Sequence, residues 1–277
     1  MALTDGRLAE IAAELMLVPG ITGVVLGGSR ARGTHGPGSD TDLGLYYRKP
    51  LDVDRLTRAA RAIAGPSAQV TDPGGWGPWV DGGGWLDVDG DAVDLIYRDL
   101  DRVTAVCAAV EQGRYAFHVQ AGHPLGFADH AYAGEIALAR VLADPTGELA
   151  ALRDRLKVYP PALARELVAG LWEADFLVML ARKGIPRSDS AYVSGCLFRL
   201  VGVCAHALHG AAGRWLINEK GAVAAAAALP GAPAHFGERV DKAFAAVDGD
   251  PLRLRVAIDI AADLVLDTAD ACMMMVR

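Results

Sequence analysis

The stretch that decides the fold is Gly27-Gly28-Ser29-Arg30-Ala31-Arg32-Gly33-Thr34-His35-Gly36-Pro37-Gly38-Ser39-Asp40-Thr41-Asp42-Leu43-Gly44-Leu45. The apolar run before it, residues 21–26, is long enough for one buried strand, and residues 43–47 predict a second strand after it. Residues two apart on a strand point to the same face, so Asp40 and Asp42 can present their carboxylates side by side. Two carboxylates held that close repel each other unless a divalent cation neutralises them.

The glycines that precede the acidic pair suit a different ligand. Gly27 and Gly28 have no Cβ, so backbone N–H groups at this turn can approach a phosphate closely. A short helix beginning at Arg30 would add the favourable dipole of its N-terminus. A glycine turn that binds phosphates, followed by a strand that binds metal, is what nucleotidyl transfer from a nucleoside triphosphate requires.

The order of these features resembles the signature of the DNA polymerase beta nucleotidyltransferase superfamily. That signature is Gly-Ser, a spacer and Asp-x-Asp between apolar residues, which Gly28-Ser29, ten residues, and Asp40-Thr41-Asp42 match. The superfamily needs a third carboxylate on a later strand, and Asp94 is the single acid within Val93-Asp94-Leu95-Ile96-Tyr97. An acid in such an apolar run is costly unless it is paired or metal-bound, in agreement with that role.

Composition limits the possible substrates. The chain has 277 residues, of which 52% are hydrophobic, enough for a sizeable core in two domains or one large domain. The net charge of −7 disfavours nucleic acid as a partner, and with it a polymerase or terminal transferase, because nucleic-acid phosphates need a basic surface. The same charge is compatible with a small cationic substrate.

Cysteine usage and the chain start bear on the compartment. The four cysteines, Cys107, Cys196, Cys204 and Cys272, form no CxxC pair, so we expect buried free thiols in a reducing compartment. The first residues have no signal-peptide pattern, and no apolar run reaches about eighteen residues. We therefore expect a cytoplasmic protein with no membrane partner.

The periodicity changes from mixed to helical along the chain. It predicts an α+β fold: an N-terminal domain at residues 1–125, with a small mixed sheet and helices, and a C-terminal all-α helical bundle at residues 126–277. The resemblance implies that the first is the nucleotidyltransferase catalytic domain and that the second binds the substrate. Predicted helices cover residues 4–17, 52–64, 99–112, 130–142, 149–156, 161–182, 188–209, 216–228 and 251–274.

This two-domain arrangement is similar to that of the aminoglycoside and lincosamide nucleotidyltransferases. A group of bacterial nucleotidyltransferase-domain proteins is more similar still, with shared patterns that match Gly-Gly-Ser-Arg-Ala-Arg-Gly-Thr, Asp-Leu-Ile-Tyr-Arg-Asp-Leu and Asn218-Glu219-Lys220-Gly221-Ala222. The resemblance implies Mg²⁺-dependent transfer of a nucleoside monophosphate to a hydroxyl of a small acceptor, with release of pyrophosphate. That ATP is the donor follows from the family alone.

The resemblance also implies roles for individual residues. Asp40 and Asp42 would bind two Mg²⁺ ions about 3.5–4 Å apart. Asp94 would bind the first ion, accept the proton of the acceptor hydroxyl, or do both. The Gly28 backbone and Ser29 would bind the β- and γ-phosphates.

Three cations are candidates for the remaining phosphate charge. Arg30 or Arg32 would neutralise the charge that develops on pyrophosphate. Lys220 would reach the nucleotide phosphates from the helical domain, as similar enzymes place a lysine there. The alternatives are surface arginines beside a loop and an ordinary solvated lysine at a helix end.

Acidic residues of the helical region suggest where a cationic acceptor would bind. Asp263 and Asp267, with Asp259 before them, repeat every four residues on the last predicted helix, although like charges at this spacing destabilise a helix. Such a stripe is tolerated on any solvent-exposed face. The functional alternative is an acidic cleft, to which Glu166 and Glu173 would contribute.

Residues 72–85 form the least regular part of the sequence, rich in glycine and containing Trp76, Trp79 and Trp85. One interpretation is a hairpin loop whose tryptophans close the end of the sheet. The other is a flexible rim whose aromatic rings contact a substrate or nucleobase.

Two further functions compete with transfer to a small molecule. Nucleotidylation of a protein side chain predicts an exposed apolar patch near the cleft. A non-catalytic nucleotide sensor or antitoxin-like protein has no need of all three acids. We expect a monomer or a homodimer under each alternative.

Overall fold

The computed structural model describes residues 3–33, 35–36 and 38–275. Thr34, Pro37, the first two residues of the predicted N-terminal domain and the last two of the predicted C-terminal domain lie outside the described residues. The chain divides into two compact units. The first comprises Met1–Ala109 and Ala116–Lys157, and the second comprises Val110–Tyr115 and Val158–Arg277. This division differs from the boundary predicted at residue 125, because residues 126–157 lie with the sheet rather than with the helices.

The first unit alternates helices and strands. Its elements are α1 (Asp5–Leu15), β1 (Ile21–Leu26), α2 (Gly28–Ala31), β2 (Thr41–Tyr47), α3 (Val53–Ala64), β3 (Gly83–Val88), β4 (Asp91–Asp99), α4 (Leu100–Val110), β5 (Phe117–Gln120), β6 (His123–Ala128), α5 (Ala131–Leu138), β7 (Arg140–Ala143) and α6 (Glu148–Arg155).

Five strands of the described chain form one mixed sheet in the order β3-β4-β2-β1-β7. Strands β2 and β4 run parallel, and the other neighbours are antiparallel. One face of the sheet is apolar and packs with α1 and α3; it includes Leu43, Leu45, Val93 and Leu95. Burying such a side chain stabilises the fold by about 1.5–3 kcal/mol, and a one-residue slip would turn it to solvent, so this face fixes the strand register.

Strand β7 corrects one prediction. The helix predicted over residues 130–142 ends at Leu138, and Arg140–Ala143 instead pairs antiparallel with β1. The short apolar run looks helical locally, but pairing covers the edge of β1, which would otherwise present unpaired backbone groups. The hairpin formed by β5 and β6 was not predicted either.

The second unit is helical. It contains α7 (Pro161–Ala169), α8 (Trp172–Arg182), α9 (Ser190–Ala211), α10 (Ala222–Ala227), α11 (Phe236–Ala245) and α12 (Pro251–Met275). The predicted helix 161–182 is interrupted at Gly170, where a Cβ would lie 2.9 Å from the Tyr115 hydroxyl. Helix α10 is shorter than predicted, and α11 was not predicted. The α+β class with a helical C-terminal region is confirmed.

Helix α9 forms the centre of the second unit and packs against α7, α8 and α12. It is long and apolar enough to cross a membrane by length and composition, although 67% of its most apolar window is buried within the structure, as in the core helix of a bundle. Cys196 and Cys204 lie on this helix, and all four cysteines are buried free thiols. Burial raises the pKa of Cys204 and of Cys272 to about 12.

Candidate active site

Two of the predicted acids are direct neighbours on the face of the sheet opposite to the one that packs with α1 and α3. Asp42 on β2 and Asp94 on β4 are register partners in the parallel ladder, so their side chains leave the same face. Adjacent strands lie about 4.8 Å apart. Asp40 is exposed and immediately precedes β2.

The site raises the pKa values of both strand carboxyls. Burial is the main cause for Asp42, followed by the negative charges of Asp94, Asp40 and Glu135, and the pKa rises to about 6 while Arg32 opposes the shift. Burial and the charge of Asp40 raise the pKa of Asp94 as well. The three acids therefore interact, and a cation placed among them would relieve their repulsion.

These donors fit Mg²⁺ only in part. Among residues 3–33, 35–36 and 38–275, no group of three or more His, Cys, Asp or Glu side chains is gathered so that it could hold a metal ion. The predicted three-acid metal site is therefore not preassembled, because Asp40 stands outside β2 in an exposed loop. Asp42 and Asp94 still supply two oxygen donors, and Mg²⁺ commonly takes one or two carboxylates together with water and substrate phosphates.

The glycine turn lies directly against Asp42. Gly28 has a φ of +60°, and a Cβ added there would stand 1.7 Å from Asp42 Oδ2. The Gly27 N–H donates to the Asp42 carbonyl at 2.8 Å. Ser29 lies in the same short helix α2, which begins at Gly28 rather than at Arg30. The predicted phosphate-binding backbone and the predicted metal ligands thus meet at one point.

Arg30 has a structural partner at the site. Its guanidinium donates to the carbonyl of Ser39 at 2.8 Å and to that of Asp40 at 3.2 Å. These bonds fasten the far end of the loop next to the first acid. Arg32 is exposed at the end of α2. Nucleotide binding by either arginine stays a prediction.

A buried ion pair beside the acids was missed by sequence reasoning. Arg98 is 5% exposed and donates to both oxygens of Glu135 on α5, at 2.6 and 2.7 Å. Arg98 follows Asp94 by four residues on β4 and so shares its face. Arg98, a charged residue in an apolar strand, indicated that a buried partner of opposite charge exists. The sequence did not identify Glu135 as that partner.

The glycine- and tryptophan-rich loop is tied to the first unit. The Gln120 side chain accepts from the Trp79 and Val80 N–H groups at 2.9 and 3.1 Å and donates to the Trp76 carbonyl at 2.6 Å. Tyr47 donates its hydroxyl to Asp81 at 2.6 Å. The loop is thus anchored by hydrogen bonds, unlike the flexible rim of one interpretation.

The tryptophans of this loop differ in their surroundings, so neither interpretation of the loop describes all of them. Trp79 stacks on His118 with ring centroids 3.6 Å apart and packs near Tyr132, so its ring lies against other residues of the first unit. Trp85, in contrast, is 72% exposed, and its ring stacks on that of Trp76.

The candidate residues of the helical unit have varied surroundings. Lys220 is exposed in the turn before α10, where its N–H donates to Asn218. Glu173 pairs with Arg199 at 2.7 Å, and Asp267 pairs with Arg239 at 2.6 Å.

Glu166 and Asp263 are exposed, and Asp259 pairs with Arg182 at 2.9 Å. Arginines therefore neutralise much of the acidic stripe, and the ion pairs link its members to different helices. An acidic cleft formed by Glu166, Glu173, Asp263 and Asp267 stays a prediction.

Comparison with known proteins finds a family model that matches part of this site. Residues 7–67 match the family model described as Nucleotidyltransferase domain. A crystal structure of a nucleotidyltransferase-like protein from Exiguobacterium sibiricum 255-15 superposes with a TM-score of 0.47 at 10% identity, covering 98% of this chain and 77% of that chain. No curated protein matches the chain. The matched region includes Gly28 and Asp42, so the family model covers the glycine turn and the acid that lies against it.

Proposed function

We propose that the protein transfers a nucleoside monophosphate, AMP from ATP, to a hydroxyl of a small acceptor in a Mg²⁺-dependent reaction. The observation that carries this proposal is the contact of the Gly28 turn with Asp42 beside Asp94. Phosphate-binding backbone and paired carboxylates are thereby combined in one place, which is the arrangement that transfer of a phosphoryl-linked group needs.

The residues of the site divide the tasks, and Asp94 has two of them. The backbone of Gly28 and the side chain of Ser29 bind the β- and γ-phosphates, with Arg30 and Arg32 as cations for the remaining charge. Asp42 and Asp94 would hold the metal, and Asp40 would complete the set of ligands when the substrate binds. Two bound Mg²⁺ ions would polarise the phosphoryl oxygens and neutralise the leaving pyrophosphate. Asp94, with its raised pKa, accepts the proton of the acceptor hydroxyl.

The acceptor that we propose is a small, cationic compound such as an aminoglycoside or a lincosamide antibiotic. The net charge of −7 and the exposed acids Glu166 and Asp263 support a cationic molecule. The reaction would take place in the cytoplasm, as expected from the sequence.

A protein acceptor is the second candidate, and a surface of the helical unit favours it. Trp172, Phe176 and Met179 on α8 are exposed, and with Leu266 on α12 they line an apolar groove. Exposed apolar grooves of this kind commonly bind protein segments. A nucleotide sensor needs neither an acceptor nor three acids.

The test is pyrophosphate release in the presence of Mg²⁺ and each nucleoside triphosphate, with a panel of aminoglycosides and lincosamides. Wild type is compared with Asp42→Asn and with Asp54→Asn, which neutralises an exposed acid on α3 at the opposite face of the sheet. We expect release that requires an antibiotic and is lost in Asp42→Asn alone. Release that persists in Asp42→Asn would refute the proposal.

A further inference from the structure

The face of the sheet opposite to α1 and α3 carries four site features in a row across neighbouring strands. Trp85 on β3 is the register partner of Asp94, and Asp94 is the register partner of Asp42. Asp42 in turn meets Gly27 and Gly28 at the end of β1. Side chains directly opposite each other on neighbouring strands have Cβ atoms about 4.5–5.5 Å apart, so the Trp85 ring begins one strand away from the Asp94 carboxyl.

Trp85 is held in place although it is exposed. Its ring stacks on Trp76 with centroids 4.6 Å apart and an interplanar angle of 21°. The Trp76 carbonyl in turn accepts from Gln120 at 2.6 Å. Despite this support 72% of Trp85 remains exposed, while its strand neighbour Leu86 is buried on the other face. A large apolar ring is thus presented to solvent at a fixed position beside the acids.

The position of Trp85 in the row indicates which substrate it contacts. In an in-line displacement the attacking and leaving oxygens lie on opposite sides of the phosphorus. The glycine turn, where the leaving pyrophosphate would lie, is at one end of the row, and Trp85 is at the other. The acids lie between the two ends, so Trp85 is on the side from which the acceptor oxygen attacks.

We propose that Trp85 is the platform on which the acceptor binds, and that the acceptor is a molecule with a flat ring face that bears the reacting hydroxyl or lies next to it. This inference rests on the proposed nucleotidyl transfer. An indole face binds aromatic rings and the C–H faces of sugar rings, and its attraction increases when the ring is cationic. Aromatic rings and sugar rings both offer a flat face to the indole, and one probe of each kind distinguishes between them.

The step itself balances around Asp94. The acceptor oxygen forms a bond to the α-phosphorus, and the bond from that phosphorus to the oxygen of the β-phosphate breaks. The electron pair of that bond leaves with pyrophosphate, and the hydroxyl proton passes to the Asp94 carboxylate. Stacking on Trp85 holds the hydroxyl at Asp94, so Trp85 acts as a substrate-binding residue and takes no part in the proton transfer.

The experiment measures binding and turnover of two probes, kanamycin for a sugar ring and N-acetyltyrosinamide for an aromatic ring. Wild type is compared with Trp85→Ala, with Trp85→Phe, which keeps a ring, and with Phe198→Ala, which removes an exposed aromatic residue from α9 of the helical unit. Calorimetry gives the Kd of each probe and of ATP, and pyrophosphate release gives the KM values. Thermal melts verify that each variant is folded.

We expect at least one probe to bind wild type. Its Kd and its KM as acceptor should each rise about tenfold in Trp85→Ala, the scale of one aromatic stacking contact. Trp85→Phe should recover most of that loss, and Phe198→Ala should have no effect. The Kd and KM of ATP should stay within about twofold of wild type in every variant.

Three results would overturn the inference. One is the failure of both ring probes to bind wild type, and another is unchanged binding of the probe in Trp85→Ala. The third is a rise in the KM of ATP instead of the acceptor, which would assign Trp85 to the nucleobase. In each case pyrophosphate release that depends on Asp42 would leave the proposed function standing, whereas its independence of Asp42 would refute the proposed function itself.

Discussion

Asp42 lies where its ionised form is unfavourable, partly buried and close to the charges of Asp94, Asp40 and Glu135. Its pKa is about 6 in the folded chain and 3.8 ordinarily. Between these two values the folded state binds a proton that the unfolded state has released, so stability falls as the pH rises from about 4 to about 6. Above about pH 6 the carboxylate is charged in both states, and the fold is destabilised by the full free-energy difference between its folded and unfolded surroundings.

Replacing this carboxylate should therefore stabilise the fold. We expect Asp42→Asn to raise the Tm at pH 7.5 by about 2–4 °C, the scale of roughly 1 kcal/mol in a chain of this size. The gain should shrink as the pH falls from about 6 to about 4, where wild type is protonated too. Scanning calorimetry from pH 4 to 8 measures it. A gain that is the same at every pH would exclude charge repulsion as its cause.

The proposed role of Asp42 as a Mg²⁺ ligand can be tested separately. Mg²⁺ should raise the Tm of wild type at pH 7.5 but not that of Asp42→Asn, because only the carboxylate attracts the cation. The kcat/KM of transfer should fall about tenfold per pH unit below about pH 6, and excess Mg²⁺ should move this fall to lower pH, since metal and proton compete for one carboxylate. A rate that is flat from pH 5 to 8 would contradict this role.

Gly28 and Gly33 form a matched pair for testing the glycine turn. Both have positive φ, +60° and +68°, but a Cβ at Gly28 would collide with Asp42 whereas a Cβ at Gly33 meets open space. We expect Gly28→Ala to lower the rate of transfer by at least about a hundredfold, because a misplaced catalytic group commonly lowers the rate by that factor. Gly33→Ala should keep most of the activity, with a stability loss of about 1 kcal/mol for the backbone alone. Equal activity of the two variants would exclude the clash as the cause.

At the scale of the element, the prediction from sequence succeeds where local pattern and structure coincide. Strands β1, β2 and β4 follow from apolar runs, and the register partnership of Asp42 and Asp94 agrees with their predicted common site. Strand β7 was not predicted because its three apolar residues, 141–143, follow a helix and carry no local sign of strand pairing. Glu135 was missed for the same reason, since an acid on a helix looks solvent-exposed until its partner is known.

The Arg98–Glu135 pair links β4 to α5 and should be required for stability. Removing one partner leaves a buried charge, which costs about 3–5 kcal/mol. We expect Glu135→Gln to show a loss of that order in urea denaturation. The control is Glu148→Gln, which breaks a similar two-bond contact to Arg48, where both side chains are about 40% exposed. An exposed pair should cost less than about 1 kcal/mol, and equal losses would contradict the distinction.

For the whole molecule, the observed division of the chain predicts which fragments fold. Residues 1–157 keep β7 on the edge of β1 and Glu135 on Arg98, whereas residues 1–125 lack both. We expect fragment 1–157 to unfold cooperatively in urea and fragment 1–125 to aggregate, because it exposes a strand edge and an unpaired buried charge. Size-exclusion chromatography and circular dichroism compare them. Cooperative unfolding of fragment 1–125 would contradict the observed division.

The boundary of the units was beyond sequence reasoning for a physical reason. The pattern after residue 125 is helical in composition, but membership of a unit depends on contacts between distant residues. The six residues Val110–Tyr115 show this most clearly, since they belong to the second unit although the chain on both sides belongs to the first.

The burial of all four cysteines makes the protein convenient for site-specific labelling. Thiol reagents react with exposed thiolates, and burial raises the pKa of Cys196, Cys204 and Cys272. A cysteine introduced at Val119, a position that is 94% exposed, would therefore react with a maleimide dye long before any native thiol. A fluorescent or spin label could thus be attached at a chosen position without first removing the natural cysteines.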